Sequence, residues 1–313
     1  MAQITVVGCG VSGLTCALRL QEENHEITII SRDLPAETTS SAAGAVWYGY
    51  GTGKVRQWAQ VSLQRFTQLI PVADSGVVEI RLREVSPSPL QVPWFKDELP
   101  FCERMPQADL PQGYADGYIM DVPLVEPPPY LQYLKTQFEQ NGGRIVQRNL
   151  HSLDELATDN TMIINCSGLG ARELAHDDHI FPIRGQTVRV DAPDIQQGFM
   201  DDDSFTYIFP RSDGVFLGGI LQPNQDSLTI DASDTSDILQ RCTKIEASIQ
   251  QANILGYTVG LRPGRHAVRL ETEQLTDSCT VIHNYGHAGL GFTLSWGCAE
   301  DVAELVGWLN ITP

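Results

Sequence analysis

Two glycine-rich turns and one arginine are the residues whose types and spacing could do chemistry in this chain. Gly8-x-Gly10-x-x-Gly13 follows the apolar run Ile4–Val7 and opens a helical pattern. In that context Gly8 permits a tight turn, Gly10 lets backbone approach a pyrophosphate, and Gly13 allows close packing of helix on sheet. The helix N-terminus adds free amides and a partial positive charge. Arg262 stands in Gly-Leu-Arg-Pro (260–263), where the following proline holds it extended. A second turn, Gly286-x-x-Gly289-x-Gly291, precedes a helix from about Thr293. A dinucleotide site beside a placed guanidinium points to redox chemistry on a small carboxylate, because arginine grips a carboxylate in bidentate fashion.

The second helix N-terminus refines the cofactor. Aimed at a ligand, it favours negative charge developing there. A flavin gains such charge on reduction, whereas a nicotinamide has no need of it. Met162–Asn165 is an apolar strand that breaks at Ser167-Gly168, where backbone can approach a ligand closely. The acid that usually ends the second strand and binds ribose is replaced by Ser31-Arg32-Asp33. Ser31 holds the matching position and cannot make a carboxylate contact. Arg32 keeps NADP open as a minor alternative. Tyr207, in Thr-Tyr-Ile-Phe-Pro, is a hydroxyl donor that could share a carboxylate with Arg262.

These residues need a frame. Ile4–Val7, Val11–Gln21 and Glu26–Ile30 read as a strand–helix–strand unit. Thr38–Gly44 is a small-residue loop, and Lys54–Leu69 an amphipathic helix. Residues 70–129 are proline-rich and mixed, with Pro127-Pro128-Pro129 ahead of a helix at about 130–140. Thr187–Asp191, Thr206–Phe209 and Val215–Gly218 alternate as antiparallel strands do. Ser233–Gln251 and Thr293–Val306 read as helices. The fold class expected is α/β, a Rossmann-like cofactor domain interleaved with an antiparallel-sheet α+β substrate domain. The first comprises residues 1–45, 140–185 and 270–313; the second, 46–139 and 186–269.

Composition excludes several classes. With 21 basic and 39 acidic residues the net charge is −18, which disfavours nucleic acid and anionic membranes. Seven scattered cysteines without a Cys-x-x-Cys read as buried thiols of a reducing compartment. No apolar run is long enough to span a membrane, no signal peptide fits before the first strand, and the C-terminal Ile-Thr-Pro is no peroxisomal address. The expected location is cytoplasmic. His176-Asp-Asp-His179 does not match a metal site and reads as a solvated acidic loop, so no metal is expected.

Together the motifs resemble the D-amino-acid oxidase family nearly end to end. They include Val-Val-Gly-Cys-Gly-Val-Ser-Gly-Leu (6–14), Ala-Ala-Gly (42–44), Asn-Cys-Ser-Gly-Leu-Gly (165–170) and Ile-Arg-Gly-Gln-Thr-Val (183–188). Tyr-Ile-Phe-Pro (207–210), Leu-Gly-Gly (217–219), Gly-Leu-Arg-Pro (260–263) and His-Asn-Tyr-Gly-His (283–287) complete the match. The resemblance implies non-covalent FAD and oxidative deamination of D-amino acids to imino acids, with O2 becoming H2O2 by direct hydride transfer. It assigns the substrate carboxylate to Arg262 and Tyr207 and the substrate amine to the Gly289 carbonyl. For the cofactor it implies Gly8, Gly10, Val11, Ser12 and Gly13, then Ser31, Arg32, Thr38 and Thr39. Ala43, Gly44, Val46, Leu150, Ser167 and Gly168 follow, with Gly286, Gly289, Leu290, Gly291 and Thr293 on the last turn. Vertebrate members carry a longer lid with a second tyrosine before the Tyr-Ile segment, absent here. Yeast members place a tyrosine, and D-aspartate oxidases an arginine, where this chain has Leu221. The remaining pocket, Tyr50, Met200, Leu221 and Leu290, reads as apolar and open, for neutral, apolar side chains, with Asp203 nearby as a possible selector of basic ones. Alternatives are a glycine- or sarcosine-type amine oxidase and a non-catalytic flavoprotein. A homodimer is one assembly open to the chain.

Overall fold

The computed structural model describes residues 3–158 and 161–311. Thr312 and Pro313, read above for a targeting signal, lie outside the described residues, as do Met1 and Ala2. In chain order the elements begin with β1 (Gln3–Val7), α1 (Val11–Glu22), β2 (Glu26–Ser31), α2 (Gly53–Leu69), β3 (Val77–Ser86), β4 (Cys102–Arg104) and β5 (Asp116–Val125). Next come α3 (Pro127–Gln140), β6 (Arg144–Gln147), β7 (Thr161–Asn165), α4 (Ala171–Leu174), β8 (Phe181–Asp191), β9 (Gly198–Asp201) and β10 (Thr206–Arg211). The last are β11 (Gly214–Gly218), β12 (Gln222–Pro223), α5 (Ala232–Ile245), β13 (Asn253–Gly264), β14 (Arg269–Thr276), β15 (Cys279–Tyr285) and α6 (Gly291–Ile311).

Two sheets organise them. The first has the order β14-β15-β7-β1-β2-β6 and is parallel except for β14, which pairs antiparallel with β15. Strand β1 lies at its centre, which is why Ile4, Val6 and Val7 are all buried. Helix α6 packs on α1 and α2. Arg19 holds Glu300 at 2.6 Å, Thr15 Oγ1 donates to the Ser295 carbonyl, and Trp296 Nε1 donates to Tyr130 at 2.8 Å. The second sheet has nine strands, is antiparallel apart from the β3–β9 pair, and contains β13 as a long partner of β8.

The structure departs from the sequence expectation in four places. Segment 70–129 contains three strands; no proline falls in β3 or β4, and Pro123 is accommodated within β5 opposite Glu79. The three prolines at 127–129 do not precede α3 but form its first turn, where no amide is needed. Helix α5 ends at Ile245, and a separate 3-10 turn covers Ala247–Gln251, since Glu246 is extended. Strands β13 and β14 lacked an alternating pattern and were not anticipated. All seven cysteines are buried and unpaired. Among the described residues no helix is long and apolar enough to cross a membrane.

Arg184 shows how the large sheet is locked. It is 4% exposed and uses all five of its donors: on Asp234 and Gln222, on Gln186, and on the carbonyls of Ser227 and Thr229. This pins the 222–234 segment across β8. Arg184→Ala leaves the half-buried Asp234 without its cation and the Ser227 and Thr229 carbonyls without their donor, so unfolding free energy should fall by about 3–5 kcal/mol. An earlier urea midpoint checks this; an unchanged midpoint would remove Arg184 from the account of stability.

Candidate active site

A cavity of about 1160 Å³ lies between the two sheets. Its lining includes the C-terminal ends of β1, β2 and β15 and the turn that follows β7, where open α/β sheets bind ligands. The opposite wall comes from β8, β9, β10 and β13. The volume exceeds the roughly 300–1,000 Å³ of a site for one small molecule, leaving room for a dinucleotide and a small substrate together.

At one end the turn after β1 sets the geometry. Gly8 has φ +99°, and a Cβ there would sit 2.6 Å from the Cys166 carbonyl. Gly10, Val11 and Ser12 line the cavity at the N-terminus of α1, whose first amides have no helical acceptor. Ser40 takes the Val11 amide at 3.0 Å, a contact the sequence did not single out, although a helix start calls for a hydroxyl cap. Thr38, Thr39, Ala43, Gly44, Val46 and Leu150 complete this wall with Ser167 and Gly168. Thr39 is committed to Leu261, whose amide and carbonyl both bond its hydroxyl. Ser167 Oγ is buried with no hydrogen-bond partner among the described residues. Ser31 and Arg32 also line the cavity, but the Ser31 hydroxyl accepts from the Cys9 amide and donates to the Asp33 carbonyl. Arg32 pairs with Asp33 at 2.7 Å rather than standing free for an extra phosphate.

The α6 end supplies Gly289, Leu290, Gly291 and Thr293. Two glycines expected at the cofactor stand behind the wall instead. A Cβ on Gly13 would fall 1.9 Å from the Gly8 carbonyl, so Gly13 serves the packing of α1 on the turn. Gly286 has φ +83° and makes room for the Arg265 side chain. His287, not anticipated, lines the cavity; burial pushes its pKa down to about 4, so the imidazole stays neutral near pH 7. In the 176–179 loop His176, Asp178 and His179 are exposed as expected, but Asp177 is buried and accepts from Arg265 and Tyr285, each at 3.0 Å.

At the other end Arg262 is half-buried and lines the cavity without a salt bridge among the described residues. Its Nη1 donates to the Ile220 carbonyl at 3.1 Å, and its guanidinium lies 5.8 Å from the Phe205 ring. Tyr207 stacks on Phe209 with ring centroids 4.9 Å apart and fills the space left by Gly218 and Gly219. Burial pushes its hydroxyl pKa up, while Arg262 pulls it the other way. Tyr50, Met200, Leu221 and Leu290 all line this region, and Leu221 is 50% exposed at the mouth. The wall is not wholly apolar: Asp202 lines it too, accepting from Tyr50 at 2.7 Å. Asp203 turns instead to Ser86. Behind Tyr50, Tyr48 donates to Glu84 at 2.5 Å, and burial pushes Glu84 up to about 7.

Comparison with known proteins agrees with this geometry. Residues 3–305 match the family described as FAD dependent oxidoreductase. The chain belongs to this family. It is therefore an enzyme, a FAD-dependent oxidoreductase. It is 39% identical to a D-amino-acid oxidase of Rubrobacter xylanophilus, covering 98% of this chain and 96% of the relative. It is 36% identical to a D-amino-acid oxidase of Dictyostelium discoideum over 97% of this chain and 91% of the relative. Its fold is that of glycine oxidase from Geobacillus kaustophilus, with a TM-score of 0.82 at 18% identity over 98% and 95% of the two chains.

The cavity of this FAD-dependent oxidoreductase fits its cofactor. Two helix N-termini, the unpartnered Ser167 hydroxyl and glycine backbone suit an anionic dinucleotide. Cys9 and Cys166 reach the lining, yet the Cys9 thiol is turned to the Asp33 carbonyl and the Cys166 thiol to Cys16. Neither is poised to form a thioether. Acid precipitation should thus leave the yellow chromophore in the supernatant; a coloured pellet would contradict non-covalent binding.

Proposed function

We propose that this enzyme binds a D-amino acid between Arg262, Tyr207 and Gly289 and deaminates it oxidatively, with O2 as electron acceptor and H2O2 as product. The observation that carries the reading is Arg262: a guanidinium in the cavity wall, with no salt bridge among the described residues, beside the Tyr207 hydroxyl. A substrate carboxylate supplies the missing charge and gains a charge-assisted bond. The D-amino-acid oxidases at 39% and 36% identity support the substrate class.

The work of the residues follows. Arg262 and Tyr207 fix the carboxylate, and the Gly289 carbonyl accepts from the amine, so the Cα–H is held in one orientation. The chemistry that bound FAD supplies is acceptance of the substrate hydride and its delivery, as an electron pair, to O2. Gly8, Gly10, Val11, Ser12, Ala43, Gly44, Ser167, Gly168 and Gly291 would hold it, and the N-terminus of α6 favours negative charge at that end of the cavity. No side chain is needed as a base beside the Cα–H, and His287, whose pKa burial pushes down to about 4, is a weak base bonded to Asn284. The free cysteines suit a reducing, cytoplasmic setting.

The side-chain pocket favours an apolar stem. Met200, Leu221 and Leu290 offer about 0.8 kcal/mol per buried methylene. A second carboxylate would find no cation there and would face Asp202, an expensive arrangement.

Two outcomes follow. Arg262→Leu should retain FAD while kcat/KM falls by two or more decades, since an uncompensated buried charge costs about 3–5 kcal/mol; Tyr207→Phe should lose less. Steady-state assays of both variants decide, and normal turnover by Arg262→Leu would refute the carboxylate site. Kinetics should also rank D-leucine and D-methionine above D-alanine, with D-aspartate very poor, and Leu221→Arg should raise the relative rate on D-aspartate. A D-leucine to D-aspartate ratio of kcat/KM at or below one would overturn the pocket reading.

A further inference from the structure

The mouth of the substrate cavity carries acidic side chains that no salt bridge among the described residues neutralises. The hairpin between β9 and β10 presents Asp201, Asp202 and Asp203 in succession. Asp201 is spent on the turn itself, accepting from the amides of Asp203 and Ser204 and from the hydroxyls of Ser204 and Tyr114. Asp203 accepts from Ser86. Arg241 caps the turn through the carbonyls of Ser204 and Phe205, so its backbone is held. Only Asp202 faces the cavity with its carboxylate partnered solely by a neutral hydroxyl, that of Tyr50 at 2.7 and 2.8 Å.

A second acid lies directly behind. Glu84 is 7% exposed, accepts from Tyr48 through Oε1, and leaves Oε2 buried without any hydrogen-bond partner. Its strand register pairs it with Met200, which places its side chain on the sheet face from which Met200 lines the cavity. Tyr48 and Tyr50 lie ring against ring, centroids 4.6 Å apart, between the two carboxylates. Neither Glu84 nor Asp202 takes part in a salt bridge among the described residues. A buried, half-satisfied acid under an unpaired one makes the site favourable for a cation and hostile to an anion.

The order of residues along the wall characterises the cation. Met200 is the cross-strand partner of Tyr207. Asp202 follows two positions on, in the turn just beyond the end of β9, and lines the same cavity. A substrate whose carboxylate rests on Arg262 and Tyr207 would run its stem past Met200 and present its far end to Asp202. We propose that Asp202, positioned by Tyr50 and backed by Glu84, selects D-amino acids with a long apolar stem and a terminal cation, of the D-lysine and D-arginine kind. This rests on the D-amino-acid reading above and narrows it: the apolar wall receives the stem, and the charge at the mouth receives the end.

The test compares the FAD-loaded enzyme with Asp202→Asn, which keeps an acceptor for Tyr50 and removes the charge. D-Lysine and D-norleucine share the stem and differ at its end. The ratio of their kcat/KM values should be tenfold or more in the native enzyme. It should fall to near one in Asp202→Asn, mainly through KM for D-lysine. A second readout needs no turnover: 6-aminohexanoate should perturb the flavin spectrum at lower concentration than hexanoate, and Asp202→Asn should abolish the difference. A native ratio at or below one, or a ratio that Asp202→Asn leaves intact, overturns the proposal while D-norleucine turnover keeps the wider reading. Failure to oxidise either amino acid would instead overturn the D-amino-acid reading itself.

Discussion

The structure depends on bringing the two ends of the chain together at one cavity. Strand β1 occupies the centre of the parallel sheet, and β15 reaches the same sheet by pairing with β7. This sets α6 against α1 so that Thr15 and Ser295, 280 residues apart, share a hydrogen bond. Both helices then open their N-termini onto the same cavity. Each contributes amides and a partial positive charge. That convergence gives an acidic chain a local site for an anionic cofactor without a cluster of basic side chains.

Around this point the charges are arranged by what they lack. Most arginines of the chain are matched to carboxylates: Arg184 to Asp234, Arg265 to Asp177, Arg19 to Glu300. Arg262 is not, and it is held in the wall by the Ile220 carbonyl and the Phe205 ring rather than by an acid. Toward the mouth, Asp202 and Glu84 are likewise without cations. A half-buried cation, a buried Glu84 and an exposed Asp202, with no salt bridge between them, do not neutralise each other. Unsatisfied charge of this kind lowers stability in the free protein and is offset when a ligand of complementary charge binds. Stability is supplied elsewhere, in the core beneath α1, α2 and α6 and in the fully bonded Arg184.

The sequence by itself determined the nucleotide-binding end. Gly8, Gly10 and the strand–turn–helix around them are local: φ of the turn and close approach of backbone depend on neighbours in the chain, so a glycine pattern carries them. Arg262 and Tyr207 could be named together from residue type and chemistry, and both line the cavity. What only the tertiary structure decided is which groups remain unpaired. Ser31 and Arg32 looked available and are spent on Asp33; Asp177 looked solvated and is a buried anchor; Asp203 looked like the selector at the mouth, and Asp202 faces the cavity instead. Strands β13 and β14 escaped notice because their side chains are only partly covered and do not alternate. The physical reason is common to all of these: the partner that satisfies or exposes a polar group comes from another strand or loop, and a sequence holds no record of which distant groups will meet.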